Sequence, residues 1–247
     1  MQKSDYQYRQ DFLVSSADAD LDHKLRYSSL TNFLIQIAWK HATNLGWGPD
    51  NLMEHKLVWV LSGLHIEMKR MPAWLDTITI ETWPKSIHRL YYLRDYSIFD
   101  HENTPIGKAT STWLLIDVEK RRPRLHDPEN EVFSFNQKKH AFEELVPIVD
   151  FNSEAAEEYL FQVRYSDVDI NQHLTTTRYV DWMFDTFSPN SLRNKQICGL
   201  TLNFLKELTF GQKALMQKQY LSGGFIRFQL CTEENEKVFF RGQFLTQ

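Results

Sequence analysis

The sequence predicts an α+β protein built from two copies of one unit, each a long helix followed by antiparallel strands. Apolar residues recur at helical spacing in two separate segments. Each of these segments precedes a series of stretches in which apolar and polar residues alternate, as they do in half-buried strands. The polar residues in front of the two helices can also be aligned with each other. The predicted fold is therefore an internal repeat.

The first predicted helix lies within SSLTNFLIQIAWKHATNLGWG, residues 28–48. Its apolar face is made by Leu30, Phe33, Leu34, Ile37, Ala38, His41 and Leu45. We expect Ser28 or Ser29 to cap its start and Gly46 to end it. The strands of this unit are predicted in LVWVLSGLHIEM, DTITIETW, LYYLRDYSIF and GKATSTWLLID.

The second predicted helix lies within TTTRYVDWMFDTFSP, residues 175–189. Its apolar face is made by Tyr179, Val180, Trp182, Met183, Phe184 and Phe187. Hydroxyl groups of residues 175–177 can cap its start, and Ser188-Pro189 is expected to end it. The strands of this unit are predicted in LTLNFLKEL, ALMQKQYL, GFIRFQLCT and VFFRGQFLT.

The repeat can be followed residue by residue when DADLDHKL (18–25) is placed over DVDINQHL (167–174). The paired positions are Asp18 with Asp167, Asp20 with Asp169, Asp22 with Asn171, and Lys24 with His173. We interpret this as a duplication in which only the second copy carries the Asn and the His. A proline-containing segment of mixed charge separates the copies. It predicts an N-terminal domain with linker at 1–147 and a C-terminal domain at 148–247.

Composition excludes several classes of protein. The net charge of −4 and the pI of about 6.1 argue against a nucleic-acid-binding protein that relies on an overall positive field. Two cysteines without a C-x-x-C pair argue against a disulfide framework and against a cysteine zinc site. No apolar run reaches the roughly 18 residues of a membrane span, and no signal or transit peptide is recognisable. We therefore expect a cytoplasmic protein.

The stretch SDVDINQH places Asp169, Asn171 and His173 just before a helix. In an extended loop these alternate residues would point to one side. The helix N-terminus can stabilise negative charge that develops on a substrate oxygen. The aspartate could act as nucleophile, base or orienting group, the amide could position a carbonyl or a water, and the imidazole could transfer a proton. The same residue types also serve simply as helix caps, and both interpretations stay open.

Glu207, in LTLNFLKEL, is a second carboxylate candidate at the predicted end of a strand. Strand alternation puts it on one face with Thr201, Asn203 and Leu205, and spacing alone is more typical of a solvated glutamate than of a catalytic one. The other histidines are scattered without metal-ligand spacing, and no phosphate-binding or dinucleotide-binding motif occurs. We therefore predict neither a metal ion nor another cofactor.

A helix preceded by a short polar loop and wrapped by an antiparallel sheet is the hotdog plan, and two such units form a double hotdog. The segment SDVDINQHLTTTRYVDW resembles the active-site segment of plant and bacterial acyl-ACP thioesterases, in which S-D-x-D-x-N-Q-H-x-N-N-x-K-Y is typical. KHATNLGWG, LVWVLSGLHIEMKRMPAWLDTITIETWP, RDYSIFD and ATSTWLLIDVEKRRPRL resemble the N-terminal domain of that family. The resemblance covers roughly residues 5–247.

This resemblance implies hydrolysis of the thioester of fatty acyl-ACP, with release of the free fatty acid. By position, Asp169, Asn171 and His173 match the family's catalytic loop. FLKEL matches its Y-R-R-E-C segment, so Glu207 matches the catalytic glutamate. Leu208 stands where the family has a cysteine, which excludes a thiolate nucleophile at that position.

Two hydrolytic routes are open. In the first, Glu207 activates a water that Asn171 positions, while His173 supports the oxyanion or protonates the leaving thiol. In the second, Asp169 attacks the carbonyl, and a water activated by Glu207 opens the resulting mixed anhydride. A positioned acid or base contributes about 10²- to 10⁴-fold in either route.

The acyl chain is expected in the N-terminal unit, whose copy of the loop lacks the Asn and the His. Beside the first helix we expect it to contact Val58, Val60, Leu64, Ile66 and Met68, although plain core packing would explain the same residues. The acidic carrier protein, with its phosphopantetheine-linked chain, is the predicted partner. Its predicted docking patch comprises Lys120, Arg121, Arg122 and Arg124, with Lys69 and Arg70 as additions, and a solvated turn is the alternative.

Three rival functions share the fold: an acyl-CoA thioesterase, a hotdog dehydratase acting on hydroxyacyl-ACP, and a non-catalytic acyl-binding module. The absence of a plastid transit peptide suits a bacterial cytoplasmic protein. A double hotdog already supplies the two units that single hotdogs obtain by dimerising. A monomer and a homodimer are therefore both compatible with the sequence.

Overall fold

The computed structural model describes residues 6–126, 135–136, 138–154, 156–193 and 195–247, apart from the side chain of residue 193. The helices are α1 (Tyr27–Asn44), α2 (Pro49–Glu54), α3 (Thr176–Asp185) and α4 (Pro189–Arg193). The strands of the first half are β1 (Tyr8–Leu13), β2 (Leu57–Met68), β3 (Thr77–His88), β4 (Tyr91–Phe99), β5 (Pro105–Asp117) and β6 (Arg122–Pro123). Those of the second are β7 (Glu157–Gln162), β8 (Ile197–Phe204), β9 (Lys213–Tyr220), β10 (Phe225–Cys231) and β11 (Val238–Thr246).

The strands form one antiparallel sheet in the order β1-β3-β4-β5-β2-β8-β11-β10-β9-β7, with β6 added beside β5. The halves join where β2 pairs with β8, from Gly63 opposite Asn203 to Glu67 opposite Gly199. Outwards from this join, the first half runs β2, β5, β4, β3, β1 and the second runs β8, β11, β10, β9, β7. Each strand except β6 therefore has an equivalent in the same position, and the predicted α+β fold of two like units is confirmed.

The long helices pack against the sheet and against each other. The Tyr27 ring at the start of α1 stacks on Phe184 near the end of α3, with centroids 6.2 Å apart. The Tyr27 hydroxyl donates to the carbonyl of Ile197 at the start of β8. At the other end of the sheet, Tyr179 near the start of α3 contacts the ring of Phe204 at the end of β8. The two helices thus run in opposite directions, and the loop before α3 lies at the end of the sheet where β2 begins.

The linker crosses the outer face of the sheet and is fixed to both halves. The backbone carbonyl of Lys139 accepts a hydrogen bond from the Trp83 indole at 2.7 Å, and the Ala141 N–H donates to Asp95 Oδ2 at 2.7 Å. Farther on, the Val149 N–H donates to Asn203 Oδ1 at 2.7 Å. Residues 127–134 and 137 of the predicted linker lie outside the described residues. The domain boundary at 147/148 stays a prediction.

Several local predictions are wrong. The strands β1 and β7 and the short helices α2 and α4 were not predicted, because each is a short segment without a strong apolar period. α1 begins at Tyr27, so Ser28 and Ser29 lie inside it, and no side chain caps it. Thr175 occupies the cap position of α3 without a side-chain hydrogen bond. Gly46 does follow the end of α1, with a φ of 84° that suits glycine.

Among the described residues, no helix is both long and apolar enough to cross a bilayer.

Candidate active site

The loop before α3 is a tight turn built around one carboxylate. Asp169 Oδ1 accepts the backbone N–H of Asn171 at 2.8 Å and that of His173 at 3.2 Å. The backbone N–H of Asp169 donates to the carbonyl of His173 at 2.9 Å, and Gln172 has a φ of 64°. The expectation of an extended loop with alternating directions is therefore wrong. What brings these residues together is an Asx-type turn closed by Asp169.

The segment after β8 carries Glu207 to this turn. β8 ends at Phe204, so Glu207 does not share a strand face with Thr201 and Asn203 as predicted. Instead the N–H groups of Leu205 and Lys206 both donate to the carbonyl of Phe239, which bends the chain out of the sheet. The carbonyl of Leu208 accepts the Leu174 N–H at 2.7 Å.

His173 and Glu207 meet as a result of this bend. His173 Nε2 lies 3.2 Å from Glu207 Oε2, and the two side chains are 32% and 50% exposed. An imidazole paired with a carboxylate that solvent can still reach is able to exchange protons with a bound substrate or water. We call His173 and Glu207 the dyad.

The dyad lies beside the start of α3. The Thr175 N–H donates to the carbonyl of Asp167 at 2.8 Å, and α3 begins at the next residue. No side chain caps the helix, so the first N–H groups of α3 have no side-chain acceptor. Together with the positive end of the helix dipole, they can stabilise an oxyanion.

An ion pair that was not predicted fixes the loop to the helix. The buried carboxylate of Asp167 accepts the Arg164 N–H at 2.8 Å and the Arg178 Nε–H at 2.9 Å. Arg178 also donates to Asp181 at 3.2 Å. Because Arg178 spans the loop and the first turn of α3, it holds the turn around Asp169 in position.

Tyr179 is a further residue that the sequence interpretation treated only as part of an apolar face. Its side chain is buried, and that burial raises the pKa of Tyr179 well above its usual range, with smaller contributions in the same direction from the carboxylates of Glu207 and Asp169. The Leu208 N–H has the opposite, smaller influence on that pKa. Its phenol therefore stays neutral beneath the dyad. Arg178 and Tyr179 stand at the K-Y positions of the segment pattern, the signal that could have identified both.

Sequence comparison assigns the chain to a family. Residues 5–133 match the model of the acyl-ACP thioesterase N-terminal domain, and residues 151–240 match that of the C-terminal domain. The chain belongs to the acyl-ACP thioesterase family. It is 27% identical to the chloroplastic oleoyl-acyl carrier protein thioesterase 2 of Arabidopsis thaliana over 82% of this chain, and 24% identical to the palmitoyl-acyl carrier protein thioesterase of Cuphea hookeriana over 81%. These alignments span only 60% and 51% of the two plant proteins.

Solved structures agree with this assignment at the level of the fold. An acyl-ACP thioesterase from Bacteroides thetaiotaomicron superposes with a TM-score of 0.88 at 24% identity, over 100% of both chains. The 12:0-ACP thioesterase from Umbellularia californica superposes with a TM-score of 0.83 at 21% identity, over 98% of this chain and 97% of its own. The predicted double hotdog is confirmed.

The cysteine position of the family is filled by a buried leucine. Leu208 is fully enclosed, and only its backbone takes part in the loop contacts described above. The two cysteines of the chain are both free, Cys198 at the start of β8 and Cys231 at the end of β10. Burial raises the pKa of Cys231 to about 11, which leaves it almost entirely as the unreactive thiol at neutral pH.

The five strand residues predicted to contact the acyl chain do not share one face. The pairing of β2 with β5 shifts between Leu61 and Gly63, which marks a bulge. Beyond the bulge, Leu64, Ile66 and Met68 belong to the buried core, whereas Val58 and Val60 are only partly buried and lie outside that core. The two groups lie on opposite faces because the bulge exchanges the faces of the strand, and contact of any of the five with an acyl chain stays a prediction.

Three of the predicted docking cations surround a shallow cavity of about 370 Å³. Lys120, Arg122 and Arg124 line it together with His55, Leu57, Asp117 and Pro123, while Arg121 is exposed nearby. Lys120 is paired with Asp117 at 3.4 Å. Because β2 begins beside this cavity and runs antiparallel to β8, the cavity and Glu207 lie at the same end of the sheet.

The additional pair Lys69 and Arg70 lies elsewhere, so that part of the predicted patch is wrong. Both residues follow the far end of β2, and Arg70 is bound to Asp100. A strand of 12 residues separates them from the cavity, which corresponds to about 36 Å.

Proposed function

We propose that this chain hydrolyses the thioester of fatty acyl-ACP, releasing free fatty acid and ACP. The observation that carries the proposal is the contact of 3.2 Å between His173 Nε2 and Glu207 Oε2 beside the uncapped start of α3. Family membership and the names of the curated relatives support the same substrate. No cysteine nucleophile is involved, because Leu208 stands at the family's cysteine position.

The catalytic roles follow from the bonds around the dyad. Glu207 is the base that activates the attacking water, and the exposed amide of Asn171 orients that water. His173, hydrogen-bonded to Glu207, donates to the oxyanion or passes the proton that Glu207 has taken from the water to the departing thiolate. The first N–H groups of α3 stabilise the charge that develops on the thioester oxygen.

Direct attack by water is preferred over attack by Asp169. One oxygen of Asp169 already accepts two backbone N–H groups, which lowers its nucleophilicity. Asp20 in the first copy makes equivalent bonds with the N–H groups of Asp22 and Lys24, both at 2.9 Å, although Lys24 stands at the position of His173. This supports a role for Asp169 in building the turn.

The carrier protein is proposed to dock on the basic cavity. Lys120, Arg122 and Arg124 offer positive charge at the same end of the sheet as Glu207, where an arm linked to a docked carrier would reach the dyad. Turnover of acyl-ACP should then fall as salt is raised, while short free thioesters should be unaffected. Replacing Arg122 and Arg124 with Gln should remove this salt dependence. The proposed compartment is the cytoplasm, where the two free cysteines would stay reduced.

The test is free-thiol release from a panel of medium-chain to long-chain saturated acyl-ACPs, with the matched acyl-CoAs alongside. Fast turnover of the ACP thioesters and slow turnover of the CoA thioesters is the expected result. A preference for CoA would keep the chemistry and replace the partner. No thiol release from either carrier would overturn the proposal and favour a dehydratase or a non-catalytic acyl-binding protein.

A further inference from the structure

Arg94 is a buried cation inside the N-terminal half. It lies on β4 among the inward-facing residues Tyr92 and Tyr96, and only 8% of it is exposed. Both of its described hydrogen bonds come from Nη1, to His41 Nδ1 at 3.0 Å and to Thr82 Oγ1 at 3.2 Å. In the described part of the chain, no carboxylate forms an ion pair with it.

The C-terminal half contains a buried cation in an equivalent layer, and that cation is neutralised. Lys218 lies between β7 and β10 as Thr82 lies between β1 and β4. Its Nζ contacts Glu157 at 2.9 Å, the Tyr159 hydroxyl at 3.0 Å and the Thr186 carbonyl at 2.8 Å. A buried cation is costly unless it is paired, so the contrast with Arg94 requires a physical reason.

The remaining donors of Arg94 border space that the described protein atoms do not fill completely. Nε and Nη2 have no hydrogen-bond partner among the described residues. They are also not among the completely enclosed polar atoms of the described residues that lack a partner. That space can therefore hold water or another polar group, whereas hydrocarbon placed there would strip the guanidinium of its hydrogen bonds.

Arg94 lies at a suitable distance from the dyad to mark the end of an acyl chain. One row of the sheet runs from Leu202 on β8 through Leu64 and Ser111 to Arg94 on β4. Three strand spacings of about 4.8 Å separate β8 from β4, and five residues lead from Leu202 to Glu207. Because the chain leaves the sheet after Phe204, the separation is at most about 22 Å. This is comparable with an extended long-chain acyl group.

The described interior of the C-terminal half is occupied by aromatic rings in contact with one another. Its interior is filled by phenylalanine rings with centroids 4.7–5.4 Å apart, at positions 184, 204, 228, 240 and 244, with Tyr179 among them. In the N-terminal half, β5 lies beside β4 and carries the small residues Ala109 and Ser111. Arg94 lies opposite Ser111 on β4. The acyl chain of the substrate is therefore assigned to the N-terminal half, which contains Arg94.

We infer that Arg94, held by His41 and Thr82, forms the polar end of the acyl channel and limits the chain length that the N-terminal half accepts. This inference rests on the proposed thioesterase function. Each methylene buried before the limit should raise kcat/KM about fourfold, and the first methylene that must displace polar contacts of Arg94 should lower it.

The test compares wild type with Arg94→Met across a series of acyl-ACPs of increasing length. In Arg94→Met, kcat/KM should continue to rise for at least two methylene groups beyond the wild-type limit. On the acyl chain that is two methylene groups longer, its kcat/KM should exceed that of wild type about 15-fold. Arg94→Gln, which retains a donor for Thr82, should show a smaller shift and serves if the Met variant does not fold. Lys218→Met is the matched control for loss of a buried cation and should leave the length limit unchanged.

Binding of free fatty acids of the same lengths gives a readout that does not depend on turnover. A shift of the binding limit to longer chains in Arg94→Met supports the inference even if no acyl-ACP is hydrolysed, in which case only the proposed function fails. An unchanged limit in folded Arg94→Met and Arg94→Gln overturns it. An equal shift in Lys218→Met also overturns it, because the effect would then be general loosening of the core.

Discussion

The two copies of the loop, residues 18–25 and 167–174, have the same backbone and different chemistry. In the first, Asp20 Oδ1 accepts the N–H groups of Asp22 and Lys24, and in the second, Asp169 makes the corresponding two bonds. In both copies, the residue just before the second N–H donor has a positive φ, 58° at His23 and 64° at Gln172. The hydrogen bonds are therefore those of one turn, built twice.

The supporting segments are also equivalent. Leu25 donates its N–H to the carbonyl of Pro72 at 2.9 Å, as Leu174 does to Leu208 at 2.7 Å. This equivalence puts Met71 at the position of Glu207. The first copy thus has Lys24 and Met71 where the second has His173 and Glu207. The comparison teaches that the aspartate shapes the turn and that the dyad adds the proton chemistry.

Loss of the dyad should have the largest effect. His173→Ala and Glu207→Gln should each lower kcat/KM on acyl-ACP by about 10²- to 10⁴-fold, because each removes a group that moves a proton in the transition state. The double variant should be little worse than either single one, since the two groups act together. Steady-state thiol release measures all three.

The matched controls for the dyad are Lys24→Ala and Met71→Gln in the first copy. Both should retain activity within about twofold, since neither group has a partner that transfers protons. Circular dichroism and thermal unfolding should show that all variants are folded. Full activity in folded His173→Ala and Glu207→Gln would remove the chemical difference between the copies.

Replacement of the aspartates should have a smaller effect. Asn keeps an oxygen that can accept two N–H groups, so Asp169→Asn should preserve the turn and lose less than about 10-fold in kcat/KM, the low end for a positioning change. Asp20→Asn should lower the free energy of unfolding about as much as Asp169→Asn does, and it should leave kcat/KM unchanged. Parallel assays and unfolding curves of the two variants measure this.

The alternative route predicts a different result for Asp169. A nucleophilic carboxylate would make Asp169→Asn essentially inactive. In single turnover in heavy-oxygen water, that route would also label the Asp169 side chain. Either result would show that the aspartates of the two copies differ in chemistry and not only in their neighbours.

The sequence was sufficient for the long elements and for the repeat. Strong periodicity predicted α1, α3 and the long strands, and β2 and β11 have the predicted bounds. It failed for β1 and β7, which are short edge strands whose pairing depends on the rest of the sheet. It also failed across the bulge of β2, because one extra residue exchanges the buried and exposed faces.

The candidate site was predictable as a set of residues but not as a geometry. Spacing suggested Asp169, Asn171 and His173, and the family pattern added Glu207. Nothing local indicates that the carbonyl of Phe239 bends the chain after β8 and brings Glu207 to His173. Arg178 was missed because a helix surface pattern does not reveal a partner in the preceding loop.

Loss of the ion pair between Arg178 and Asp167 should cost stability more than chemistry. Arg178→Met leaves the Asp167 carboxylate buried without its strongest donor, and we expect a loss of about 1.5–3 kcal/mol in the free energy of unfolding. The equivalent Asp18 has Ser15 as its hydroxyl donor, so Ser15→Ala should cost only about 1 kcal/mol. Urea unfolding of both variants measures the difference. Equal losses would mean that the two loops are held with equal strength.

The smallest expected effect is that of removing the thiols. If the dyad is the whole chemical difference between the copies, Cys198→Ser and Cys231→Ser should keep kcat/KM within about twofold of wild type. A side chain that makes no contact with the reacting atoms in the transition state leaves kcat/KM unchanged when it is replaced. Iodoacetamide at neutral pH should not inhibit the enzyme, because burial holds Cys231 as the thiol, with a pKa of about 11, and also raises the pKa of Cys198. Inhibition that the Cys198→Ser variant abolishes would place a reactive thiol in the reaction, and the comparison of the two loops would no longer account for catalysis.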